Sequence, residues 1–122
     1  MKCPSGLLLS AFLLSAVPAQ NMIGVTFTGQ VLRIQSTTGA TTVLASGQIG
    51  KNCLCCTTDN RLITTVRTGT PVIGFHWHLA QIDPFTGAET LLFGAADVGD
   101  LRAMAPGTPG SLFAIRDASP SD

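Results

Sequence analysis

The chain has no tyrosine, a single tryptophan, two lysines and one glutamate, and charged residues of every kind make up 11% of its 122 positions. With a formal net charge of zero, it carries no basic field to capture nucleic acid or an anionic lipid surface. Its 45% hydrophobic content excludes the highly charged disordered class. There is no Gly-x-Ser-x-Gly elbow to seat a nucleophilic serine and no glycine-rich loop leading into a helix to hold phosphate. Beyond residue 20 no stretch repeats its apolar residues at spacings of three and four, so very little helix is expected. What is abundant is turn chemistry: 13 glycines, 7 prolines and many threonines, the composition of an all-β protein built from short antiparallel strands.

One long hydrophobic run exists, residues 6–17 (GLLLSAFLLSAV), preceded by Lys2 and followed by Val17, Pro18 and Ala19. A basic start, an apolar stretch of this length and small residues at its end form a secretory signal, with cleavage after Ala19. The run falls short of the roughly 20 residues a membrane-crossing helix needs. The expected organisation is therefore a signal helix over residues 1–19 and a secreted or periplasmic region over 20–122, with no membrane association after cleavage. That region keeps six basic and seven acidic residues.

Residues 31–45 (VLRIQSTTGATTVLA) and 79–93 (LAQIDPFTGAETLLF) align at a spacing of 48, with Ile34/Ile82, Thr38/Thr86, Gly39/Gly87, Ala40/Ala88, Thr42/Thr90 and Leu44/Leu92 identical. Residues 53–66 fall against 103–116 at a spacing of 50. Two units follow, about 22–70 and 71–118. In the second, Asp83 accepts a backbone N–H, Pro84 presets its φ and Gly87 closes a hairpin turn. The first unit has Ser36, Thr37, Thr38 and Gly39 in that place. Strands are expected at 31–35, 41–45, 53–57 and 61–67, and at 79–83, 89–93, 101–105 and 111–116. Two further strands, 22–28 and 72–77, precede the units.

The sequence Ile82-Asp83-Pro84-Phe85-Thr86-Gly87-Ala88, continued by Gly99-Asp100-Leu101-Arg102-Ala103 and by Gly110-Ser111-Leu112-Phe113-Ala114-Ile115, resembles the blade repeat of secreted bacterial β-propeller proteins. The resemblance spans about residues 22–118 and is closer for the second unit, because Gln35 and Ser36 stand in the first where Asp-Pro is usual. It implies antiparallel four-stranded blades, a partial β-propeller, and no particular ligand. A closed propeller needs about four to eight blades, so the expectation is a two-blade fragment, the alternatives being a small unit that completes a ring by self-association through its open edges and a two-sheet sandwich.

Two local clusters could carry chemistry. Cys53 and Cys55 share one strand face and Cys56 takes the other, so all three are disulfide candidates outside the cytoplasm, the bland alternative being small buried strand residues. His76 and His78 also share a face, and with Cys53 and Cys55 alongside they would complete a two-sulfur, two-nitrogen zinc or copper site, although no acid stands near them in sequence. Asp97 and Asp100 flank Gly99 and read as turn caps, too few for calcium. The expectation is an exported, non-enzymatic repeat protein without a cofactor that binds a protein or carbohydrate or serves as a scaffold. The alternative is a metal-binding or enzymatic propeller module using the Cys cluster and the two histidines.

Overall fold

Glycine at a turn's left-handed position starts most of the hairpins. Gly39 (φ 71°) and Gly87 (φ 74°) close two turns with the same backbone bonds, Gly39 N to Gln35 O and Gly87 N to Asp83 O, each 2.8 Å. In the second turn Asp83 Oδ1 also accepts from the N–H of Phe85 at 2.8 Å, as its sequence position predicts. The computed structural model describes residues 20–118; the signal segment expected at 1–19 and the last four residues lie outside the described residues.

Among the described residues nine strands form three antiparallel sheets. The first sheet, ordered β1-β2-β3, comprises β1 (Asn21–Val25), β2 (Gln30–Gln35) and β3 (Thr41–Ser46). The central sheet is a four-stranded meander of β4 (Leu54–Cys56), β5 (Leu62–Thr70), β6 (Gly74–Ile82) and β7 (Glu89–Leu91). The third pairs β8 (Leu101–Pro106) with β9 (Leu112–Arg116). Among the described residues the one helical element is a single 3-10 turn at Phe93–Ala95. Among the described residues no helix is long and apolar enough to cross a membrane. The all-β expectation therefore holds.

Three local expectations are corrected. Residues 72–77 and 79–83, read as two strands, form one, because no turn-forming residue interrupts the chain between Trp77 and Leu79. The turn comes earlier, at residues 71–73, where β5 reverses into β6 and pairs along its whole length from Leu62↔Ile82 to Thr70↔Gly74. The central sheet thus takes two strands from each sequence unit. β7 ends at Leu91 rather than at 93, because Phe93 turns to φ 55° and cannot continue a ladder.

Register assigns the faces of the central sheet. Cys55 stands opposite Ile63 and Ile63 opposite Gln81, so with Leu79 they share one face. On that face Ile63 and Leu79 pack with Leu101 of β8, and Met104 and Leu112 lie against them. The other face presents Thr64, Val66, Ala80 and Ile82, all buried. The buried hydroxyls on the two faces are both satisfied, Thr64 donating to Cys53 O at 2.7 Å and Thr65, on the Ile63 face, to Gly50 O at 3.0 Å, so neither is an orphaned polar group.

The first sheet is fastened to the second face by a buried ion pair. Glu89, opposite Ile82, reaches the first sheet's exit loop, where its Oε2 accepts from the N–H of Gln48 at 3.3 Å. Its Oε1, which takes no aligned hydrogen bond among the described residues, lies 2.5 Å from the fully buried Lys51 ammonium. Lys51 also donates to the carbonyls of Gly29, at 3.2 Å, and Gln48. A Cβ at Gly47 would crowd the Glu89 carboxylate, so a larger residue there would have to displace it from Lys51. A second clamp is aromatic: the Arg67 guanidinium lies 4.0 Å from the centroid of Phe75 and 5.2 Å from that of Phe27, joining the β1-β2 turn to the end of the β5-β6 hairpin.

Candidate functional site

The register separates the residues singled out for metal binding. His78 and His76 precede Gln81 by three and five positions on β6, so they point away from the face that holds Cys55. His78 is buried with both ring nitrogens engaged: Nδ1 lies 3.2 Å from Ala96 O and Nε2 2.8 Å from the Thr68 hydroxyl. A carbonyl only accepts, so Nδ1 donates to Ala96, while the Thr68 hydroxyl, able to donate or accept, partners Nε2. The exposed His76 contacts Asp97 through Nδ1 at 2.9 Å. Sequence spacing did not place this acid beside the histidines. It arrives because the loop after β7 returns along β6, held by Val98 N to Trp77 O at 2.8 Å. The N–H of Gly99, then the contact with His76 and the N–H of Trp77, hold the Asp97 carboxyl below the usual carboxylate range.

Cys53, Cys55 and Cys56 are free thiols. Burial pushes the Cys53 and Cys55 thiols up, which keeps them protonated and poor as nucleophiles or ligands near neutral pH. Among the described residues no group of three or more His, Cys, Asp or Glu side chains is placed to hold a metal ion.

A different constellation lies where the central sheet meets β8 and β9. There the structure opens a cleft of about 250 Å³. Its floor is apolar, formed by Ile63, Leu79, Leu92 and Leu112, and its rim carries Asp59, Arg61 and Phe93. The β4-β5 turn builds the polar part. Buried Thr57 accepts from the Arg61 N–H at 2.9 Å and donates its hydroxyl to Asp59 Oδ1 at 2.5 Å. Asp59 Oδ2 accepts from Arg61 Nε at 2.9 Å. The Thr57 hydroxyl first, with Arg61 adding to it, holds the Asp59 carboxyl below its ordinary range, so the rim presents a fixed carboxylate beside a fixed guanidinium.

The opposite lip is conformationally costly. Phe93, Gly94 and Ala95 all adopt positive φ, at 55°, 62° and 61°, a left-handed turn that costs about 1–2 kcal/mol for each residue with a side chain. The turn is closed by Ala95 N to Leu92 O at 3.1 Å and Ala96 N to Phe93 O at 3.2 Å. It leaves the Phe93 ring 73% exposed at the cleft mouth. Strain of this kind is characteristic of binding and switch segments. In sequence Asp59 and Asn60 stand only in the gap between the strands expected at 53–57 and 61–67, and Phe93 only as a strand end. The one local signal was Thr57 followed by Asp59, whose short side chains favour bonds within a turn. Compared with family models, with curated protein sequences and with solved structures, the chain matches none.

Proposed function

We propose that the chain is an exported, non-enzymatic, propeller-like repeat module that acts by binding or scaffolding. The observation that carries this reading is the central four-stranded meander flanked by two incomplete sheets, of three and two strands. Recurrent backbone bonds support their equivalence. Gln35 N to Ala40 O and Asp83 N to Ala88 O, both 2.9 Å, recur at a spacing of 48, and Thr57 N to Arg61 O and Gly107 N to Ser111 O recur at 50. On this reading β4 to β7 form one blade, β8 and β9 open the next, and β1 to β3 close the previous one. Export rests on the basic, apolar and small-residue pattern of residues 1–19.

Among the described residues the outer sheets leave strand edges unpaired, and such a module is expected to associate through them. Light scattering on the purified chain should show a discrete, concentration-dependent oligomer, and placing a lysine at the exposed β9 position Ala114 (Ala114→Lys) should shift it toward monomer. A chain that stays monomeric at every concentration while unfolding cooperatively would contradict the reading.

A further inference from the structure

We propose that the cleft between the central sheet and β9 binds a single neutral, polyhydroxylated ring, a saccharide residue. The proposal rests on the binding-module reading and names the ligand class of its site. Three features of the cleft carry it.

The first is the rim's hydrogen-bonding pattern. Arg61 commits Nε to Asp59 and its Nη1 and Nη2 groups take no partner among the described residues, so a fork of donors faces solvent beside the cleft. Each Asp59 oxygen accepts one bond, from Thr57 or from Arg61, and keeps a further acceptor direction. A donor fork adjoining a carboxylate matches vicinal hydroxyls, one donating to Asp59 and its neighbour accepting from Arg61. A carboxylate or phosphate ligand fits less well, because Asp59 already neutralises the guanidinium and would repel a second anion at this distance.

The second feature is the floor, where Ile63, Leu79 and Leu112 offer an apolar surface complementary to the C–H face of a sugar ring. Phe93 supplies an exposed aromatic platform at the mouth, held outward by its left-handed backbone. The third feature is size. At about 250 Å³ the cleft is smaller than the roughly 300 Å³ at which drug-sized pockets begin, which suits one ring rather than an oligomer or a peptide.

Saturation-transfer NMR tests the proposal, using the purified chain against glucose, mannose, galactose and N-acetylglucosamine, with benzoate as the anionic comparison. Transfer to the ring C–H protons of at least one sugar is expected. Titration should show the apparent affinity weakened roughly tenfold by Arg61→Gln, the scale of one lost charged hydrogen bond. Phe93→Gly, which removes the ring and relieves the positive φ, should weaken it as well, whereas Arg102→Gln, in the ion pairs with Asp100 and Asp117, should not. Circular dichroism confirms that each variant retains its strands. No transfer to any of the four sugars, or transfer indifferent to Arg61→Gln, overturns the saccharide assignment. Stronger transfer to benzoate overturns it too and leaves the binding-module reading standing, since that reading falls by the light-scattering result instead.

Discussion

Lys51→Met should destabilise the chain by about 3–5 kcal/mol, the cost of leaving one member of a buried ion pair without its partner. Removing the ammonium strands the Glu89 carboxylate, which it faces at 2.5 Å, and takes a donor from the carbonyls of Gly29 and Gln48. Folded domains are stable by only about 5–15 kcal/mol in total, and this one is divided into three small sheets, so the variant should be largely unfolded at physiological temperature. The double variant Lys51→Met/Glu89→Leu separates the charge effect from a loss of packing. Replacing both partners removes the stranded charge and should recover most of the loss. Recovery will be incomplete, because the two carbonyls remain short of a donor at about 1–3 kcal/mol for a buried group. Urea unfolding followed by circular dichroism measures both variants. A single variant within about 1 kcal/mol of the parent, or a double variant no better than the single, would show that the pair does not fasten the first sheet to the second.

Ile63→Ala carries the other large effect. Ile63 is 1% exposed and belongs to the small cluster that joins the central sheet to β8 through Leu79 and Leu101. Large-to-small changes at such positions cost about 2–5 kcal/mol, and the loss is greater where the surroundings cannot collapse. Collapse is hindered here because β5 is pinned between β4 and β6 by ladders on both edges. The milder Ile63→Val should cost about 0.5–1.5 kcal/mol. Since Ile63 also lines the cleft, Ile63→Ala should weaken ligand contact as well as the fold. An unchanged denaturant slope with a lower midpoint would mark this as a loss of stability within the same folded state. Equal midpoints for Ile63→Ala and the parent would mean that β5 is not at the centre of the core.

The strands were readable because their cause is local. Alternating apolar residues and turns such as Asp83 to Gly87 act within a few positions, and the observed β2, β3, β8 and β9 begin and end within a residue or two of their expected bounds. Pairing is a long-range property and was less legible. Thr70 and Pro71 looked like the end of a unit, yet they lead into the hairpin that joins β5 to β6. The cysteine and histidine clusters show the same limit, since each pair shares a face by spacing but only register across β5 decides that the two faces are opposite. The ion pair of Lys51 and Glu89 and the contact of His76 with Asp97 join residues far apart in sequence. In a chain with so few charges, the single lysine and single glutamate beyond residue 20 were the available sign of a pair. The cleft was the least legible feature, because it exists only once β9 lies against the central sheet.

The account turns on a complete central sheet flanked by sheets with open edges, and native-state hydrogen exchange measured residue by residue addresses this most directly. Amides of β5 and β6 around Ile63, Thr65, Leu79 and Ala80 should exchange slowest, because these strands are paired on both edges and buried at their centres. Outward-facing amides of β1 and β9 should exchange orders of magnitude faster. Uniform protection across all nine strands, or stronger protection in β1 and β9 than in β5, would contradict it.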